Sequence, residues 1–103
     1  MEELEIKCFE IITNVGSAKS FYIEAIDFAK QGDFVKAREC IKEGDEIFKD
    51  GHRAHSDLVQ KEASGEKLEI SLILVHAEDQ LMNADGFKTI ANEFIDLYER
   101  ISK

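Results

Sequence analysis

Apolar residues recur every three or four positions along most of the chain, which is the spacing of one face of an α-helix. A first such stretch extends to Gln31-Gly32 and has apolar residues at Leu4, Cys8, Ile11, Ile12, Val15, Ala18, Tyr22, Ile26 and Ala29. A second follows Asp33, a residue type that caps helices, and ends near Ser64-Gly65. Its apolar side consists of Phe34, Ala37, Ile41, Gly44, Ile47, Phe48, Gly51, His55 and Leu58. Since the sequence contains no proline, both stretches predict long, unbroken helices.

The last third of the chain has a mixed pattern. Apolar residues alternate from position 68 to 74 as in a β-strand, but no turn follows and the chain continues into helix-favouring residues at 77–82. We therefore predict a third helix from about Glu69 to the end. Because the connections are short, the three helices should form an all-α, antiparallel, up-down-up bundle, with residues 1–103 as a single domain.

The third predicted helix has two apolar stripes, although one is enough to cover a bundle core. The first stripe consists of Ile70, Ile73, Ala77, Leu81, Ala84, Phe87 and Tyr98. The second stripe consists of Leu72, Val75, Met82, Gly86, Ile90 and Leu97. One stripe can face the bundle, and the second predicts contact with a partner chain.

A carboxylate interrupts the second stripe. At 100° per residue, Asp79 lies within about 20° of Leu72 and Gly86. It can be a solvated residue at the edge of a stripe drawn too wide. Alternatively, in a symmetric trimer three copies of Asp79 would meet on the axis, where a hard cation such as magnesium or calcium, or shared protons, must compensate the charge. The pattern alone leaves both interpretations open.

The sequence contains three histidines. His76 lies one turn before Asp79 and about 60° around the helix, so it would border a groove between chains. A single histidine in a helix is more often structural than chemical, and its spacing does not decide between the two. His52 and His55 are spaced i, i+3 and could contact one metal ion, but no third ligand at helical spacing completes a site. We expect both at the surface or in a groove.

The charge of the chain excludes several partner classes. The 22 Asp and Glu residues outnumber the 13 Lys and Arg residues, which gives a formal net charge of -9. A negative surface repels phosphate backbones and anionic lipids, so neither nucleic acid nor a membrane surface is expected as a partner. The acidic start and the lack of a long apolar run predict a cytoplasmic protein without direct membrane insertion. In that reducing compartment Cys8 and Cys40 are expected to be packed thiols.

Several separated segments resemble one protein family. The segment from Val75 to Met82 reads VHAEDQLM and is similar to the active segment H-A-Q-D-H-L-M of the lactose/cellobiose-type IIA components of the bacterial phosphotransferase sugar-uptake system. The other matching segments, in the same order along the chain, are Phe9-Glu10-Ile11-Ile12, Ala18-Lys19-Ser20, Gly32-Asp33-Phe34-Val35-Lys36-Ala37, His52 and Glu62-Ala63-Ser64-Gly65-Glu66.

The resemblance implies a phosphocarrier, a phosphotransferase component that completes no reaction alone. It implies a homotrimer in which His76 accepts a phosphoryl group on Nε2 from HPr and passes it to a cysteine of the IIB component, for uptake of a lactose/cellobiose-type β-disaccharide or β-glucoside. It also implies that Asp79 of three chains shares one divalent ion per trimer, expected to be magnesium. A neutral imidazole suits this role because it is nucleophilic and forms a labile N–P bond.

Two residues depart from the family pattern. Glu78 replaces the family's glutamine; it points about 160° away from His76 on its own helix, but could approach a neighbouring chain's site and repel a phosphate. Gln80 replaces a second histidine, and at i+4 it can hydrogen-bond His76 without changing charge. Gln80 and His52 are predicted groove neighbours of His76. We expect slower or differently tuned transfer.

Two other functions stay open from the sequence. A histidine phosphotransfer domain of a signalling relay is also a helical bundle, although that class favours lysine and glycine just after the histidine, where this chain has Glu78, Asp79 and Gln80. A non-catalytic helical adaptor would be distinguished by failure of His76 to accept phosphate from HPr. The sugar itself cannot be read, because specificity in this system resides in the membrane IIC component.

Overall fold

The computed structural model describes residues 2–102, which form three helices: α1 (Glu3–Lys30), α2 (Phe34–Ala63) and α3 (Leu72–Ile101). No strand occurs within the described residues. α1 packs along both other helices, whereas α2 and α3 touch each other much less. The bundle measures 55 × 22 × 20 Å along its principal axes. The predicted all-α, three-helix fold is confirmed.

Ion pairs at the helix ends show the direction of each helix. Lys61 Nζ lies 2.8 Å from Glu3 Oε1, which joins the end of α2 to the start of α1. Arg38 Nη2 lies 3.1 Å from Asp96 Oδ1 and 2.9 Å from Glu99 Oε1, which joins the start of α2 to the end of α3. The helices therefore run up, down and up, as predicted.

The turn between α1 and α2 follows from its local sequence. Gly32 has φ +81°, a conformation that glycine adopts readily after a helix end. The Asp33 side chain then accepts a hydrogen bond of 3.1 Å from the backbone N–H of Lys36 and so caps α2. Both ends of this turn agree with the sequence prediction.

The start of α3 corrects the sequence prediction. The helix was expected from about Glu69 but begins at Leu72. Ser71 has extended backbone angles, and its hydroxyl accepts a hydrogen bond of 3.2 Å from the Leu74 N–H, which is the geometry of an N-cap. Ile70 consequently lies in the connecting segment, 79% exposed, and does not belong to the core stripe to which it was assigned.

Small side chains make up most of the core. The core is centred on α1, whose buried residues contact both neighbouring helices. Tyr22 and Ile95 are fully buried in the cluster at one end, and Ile11 and Val15 are buried in the cluster at the other. The first stripe of α3 supplies Ala77, Leu81 and Ala84 to this core, as predicted. The buried core positions that the pattern missed are Ala25, Cys40, Ala54, Ala91 and Ile95. Burial raises the pKa of both cysteine thiols, which agrees with packed, free thiols.

Two glycines allow α2 to approach α1 closely. A Cβ atom at Gly44 would lie 2.6 Å from Cε1 of Tyr22 and 3.1 Å from the Ala18 carbonyl oxygen. At Gly51 it would lie 2.7 Å from Cγ1 of Val15. The distances of 2.6 and 2.7 Å are shorter than real Cβ contacts, so the separation of α1 and α2 depends on the absence of a side chain at these positions.

We expect Gly44→Ala to lower the free energy of unfolding by about 1–3 kcal/mol, because the buried Tyr22 ring must move to admit the methyl group. Gly16→Ala is the matched control: a Cβ there meets nothing within 4 Å. That variant should be more stable by about 0.5–1 kcal/mol, the usual gain of alanine over glycine in a helix. Urea denaturation measures both changes. Equal stabilisation by the two substitutions would contradict the close approach of α2 to α1.

Candidate functional site

His76 lies in the second turn of α3 with its side chain exposed. Together with Leu72 and Ile73 it borders a shallow, apolar surface hollow. Among residues 2–102, no hydrogen bond or ion pair to another side chain engages its imidazole; the histidine with such a contact is His55. The His76 ring is therefore open to a reagent or a docked protein.

Asp79 is exposed on the same side of α3, within the second stripe. Its neighbours along the helix, Leu72, Val75 and Met82, are 85%, 53% and 74% exposed. The second stripe is thus uncovered in the single chain, and Asp79 has no ion-pair partner within the described part of that chain. The two-stripe character of the third helix is confirmed.

The uncovered surface continues along α3 beyond Asp79. Ile90, Phe94 and Leu97 line a second apolar hollow and are 51%, 41% and 50% exposed. In helical projection all three lie within about 60° of Asp79. A further exposed apolar pair, Ile6 and Phe9, lines a hollow on α1. One face of α3 therefore presents a long apolar surface with the Asp79 carboxylate within it.

The other two histidines lie on α2 and have different surroundings. His55 Nδ1 lies 2.7 Å and 2.8 Å from the two carboxylate oxygens of Glu78 on α3. His52 is exposed, and its ring centroid lies 5.9 Å from that of His55 and 6.3 Å from that of Phe48. Neither His52 nor the half-buried Gln80 hydrogen-bonds His76 among residues 2–102, so their role as groove neighbours stays a prediction.

The sequence pattern did not predict the contact between His55 and Glu78. The pattern placed Glu78 away from His76, which is correct, and left open that its carboxylate approaches a neighbouring chain. Within one chain the carboxylate is held by His55. A signal was present, because His55 stands on the apolar side of the second helix. A polar ring on such a face requires a hydrogen-bond partner.

No group of three or more His, Cys, Asp or Glu side chains that could hold a metal occurs within residues 2–102 of one chain. Asp79 alone supplies two carboxylate oxygens, which is too few for a magnesium site. Any metal held by this carboxylate therefore needs ligands from further copies of the chain or from water.

With this geometry established, comparison with known proteins identifies the family. Residues 6–99 match the family described as the PTS system, Lactose/Cellobiose specific IIA subunit. The chain belongs to this family. It is thus a IIA component of a sugar phosphotransferase system, which transfers phosphoryl groups, and the resemblance seen around His76 is confirmed at the level of the family.

Relatives of this IIA subunit match it along nearly its whole length. The lichenan-specific phosphotransferase enzyme IIA component of Bacillus subtilis is 43% identical over 102 residues, covering 99% of this chain and 93% of the relative. The cellobiose-specific enzyme IIA of Bacillus anthracis has a TM-score of 0.96 at 45% identity, covering 99% and 94% of the two chains. A IIA(chitobiose) chain solved in complex with HPr has a TM-score of 0.88 at 31% identity, with 100% of both chains covered.

Within residues 2–102, no helix of this IIA subunit combines the length and the apolar composition that crossing a bilayer demands.

Proposed function

We propose that His76 is the phosphoryl-carrying residue of this IIA subunit, that HPr donates the phosphoryl group and that a cysteine of the IIB component receives it in the cytoplasm. The observation that carries the proposal is the exposed, unengaged ring of His76 beside an apolar hollow. Of the two remaining histidines, His55 is engaged by Glu78. The IIA(chitobiose)–HPr complex of a relative supports HPr as the donor.

The chemistry requires a nucleophile that both accepts and releases phosphate. In the first step Nε2 of a neutral His76 forms a bond to phosphorus while the bond from phosphorus to its HPr carrier atom breaks. In the second step that N–P bond breaks as the cysteine sulfur of the IIB component bonds to phosphorus. Both steps depend mainly on in-line placement of donor and acceptor, which an exposed ring on a rigid helix allows.

The apolar surface around Asp79 supports a trimeric assembly of the subunit. A contiguous apolar face of this length is rarely left open to water, and His76 at its flank would then border a groove between chains. Three copies of Asp79 would supply a hard oxygen donor set suited to magnesium, one ion per trimer. Such an ion would compensate the repulsion among the three carboxylates, which would otherwise weaken the trimer. The carboxylate's exposure and its freedom from ion pairs in the described part of the chain fit this role.

The names of two relatives indicate the class of sugar that this subunit serves. Lichenan and cellobiose, which name the relatives at 43% and 45% identity, are both β-linked glucose compounds. We therefore assign this subunit to uptake of a β-glucoside of the cellobiose type. Reconstitution with its IIB and membrane components should give faster phosphorylation of cellobiose than of lactose; the reverse preference would overturn the assignment.

Incubation with phosphorylated HPr tests the carrier function itself. The intact mass should rise by one phosphoryl group per chain, and the label should be lost in acid but kept in base, as a phosphohistidine behaves. A non-catalytic adaptor would gain no mass. An acid-stable label would indicate a hydroxyl acceptor and would contradict a histidine carrier.

A further inference from the structure

The contact between His55 and Glu78 bridges α2 and α3 close to the proposed carrier histidine. His55 Nδ1 lies within 2.8 Å of both carboxylate oxygens, and the side chains are 25% and 37% exposed. Because carboxylate oxygens accept hydrogen bonds, the His55 Nδ1–H is the donor. Glu78 is therefore held on the α2 side of α3 by a partly buried, charge-assisted hydrogen bond.

Polar bridges matter at this boundary because α2 and α3 have few other contacts with each other. The ion pairs that join them within residues 2–102 fall at three levels of the bundle. Arg38 meets Asp96 and Glu99 at one end, Asp45 meets Lys88 in the middle, and His55 meets Glu78 at the level of His76. The last of these lies on the segment of α3 that bears His76.

The negative charge of Glu78 also affects a residue on α1, the remaining helix of the bundle. The pKa of the Cys8 thiol on α1 is raised, first by burial and then by the negative charge of Glu78. The carboxylate thus lies on the α2 side of α3, where His55 holds it. His76, about 160° around α3 from Glu78, faces the opposite side.

A phosphoryl group on His76 would bring about two negative charges to a position two residues from Glu78. A glutamate side chain released from its partner has several rotatable bonds and can extend along the helix surface toward that group. At separations of about 10 Å or less, like charges are only partly screened at physiological ionic strength. Movement of the Glu78 carboxylate toward His76 would therefore disfavour the phosphorylated form of His76.

We propose that His55 is a positioning residue for phosphoryl transfer: it holds the Glu78 carboxylate on the α2 side of α3, away from the phosphoryl group on His76. This inference rests on the proposed role of His76 as the carrier. His55 acts through Glu78, so its importance depends on the negative charge of Glu78.

Rescue by a second substitution tests this dependence. The rate of phosphoryl transfer from phosphorylated HPr is measured for the wild type, His55→Ala, Glu78→Gln and the double variant. His55→Ala should slow transfer by about threefold to tenfold, the range expected from a nearby, partly screened charge. The double variant should return to within about twofold of Glu78→Gln alone, since no carboxylate is left to position. A role of His55 in packing alone would leave the double variant as slow as His55→Ala.

Two further variants control for helix packing. His55→Gln keeps a donor for Glu78 and should transfer at nearly the wild-type rate. Arg38→Ala removes the α2–α3 ion pairs at the other end of the bundle and should leave the rate unchanged. An unrescued double variant, or a wild-type rate for His55→Ala, would overturn this inference while leaving His76 as the carrier. Transfer to a His76→Ala protein would instead refute the carrier assignment, and this inference with it.

Discussion

The His76→Ala protein will take up no detectable phosphoryl group from phosphorylated HPr, yet it will remain folded. Transfer is lost because the substitution removes the nucleophile, and no other described histidine combines an unengaged ring with a position beside the apolar surface of α3. Stability should change by no more than about 0.5 kcal/mol, since His76 is exposed and alanine favours a helix. Intact mass and the circular-dichroism melting curve measure the two properties.

His52→Ala is the matched control for this result. It removes an exposed histidine of the same size from α2, and its labelling by HPr should equal that of the wild type. If His76→Ala is still labelled, or if His52→Ala loses its label with the fold intact, the carrier residue lies on α2 and the proposed mechanism is wrong in its central residue.

Substitutions within the second stripe should change assembly in opposite directions. Met82→Glu places three new carboxylates in the proposed trimer interface, and an uncompensated buried charge costs several kcal/mol per chain, so this protein should be monomeric at micromolar concentration. Asp79→Leu removes the axial charges and should keep or strengthen the trimer, which would then resist a chelator that weakens the wild type. Light scattering with and without chelator measures both effects.

Val59→Glu controls for the mere addition of a charge. Val59 is 51% exposed on α2, outside the second stripe, and its replacement should leave the trimer intact. A monomeric wild type would contradict the trimer. If the Asp79→Leu protein dissociates, Asp79 stabilises the interface. The proposed repulsion between Asp79 carboxylates on the trimer axis would then be wrong.

Local signals made most of the fold predictable. Gly32 and Asp33 end one helix and cap the next through contacts a few residues apart, which a sequence pattern contains directly. The start of α3 was placed too early because apolar residues at 68–74 suit a strand, a helix or an extended connection equally well. The hydroxyl of Ser71 decides between them, and its capping role depends on backbone angles that periodicity does not specify.

The candidate site was predictable only in part. The position of Asp79 among exposed apolar residues follows from helical geometry, as does the divergence of Glu78 from His76. The hydrogen bond between His55 and Glu78 joins residues 23 positions apart, and it depends on how α2 and α3 are aligned. That alignment is set by core packing, including the close approach at Gly44 and Gly51, and no periodicity within one helix reveals it.

Mapping the phosphoryl group on the wild-type protein tests the central claim most directly. Trypsin cleaves after lysine and arginine, so the three histidines fall on separate peptides, 50–53 with His52, 54–61 with His55 and 68–88 with His76. After labelling by phosphorylated HPr and digestion at alkaline pH, mass spectrometry should find the phosphoryl group on peptide 68–88 alone. A phosphoryl group on peptide 50–53 or 54–61, with 68–88 unmodified, would contradict the assignment of His76 as the carrier.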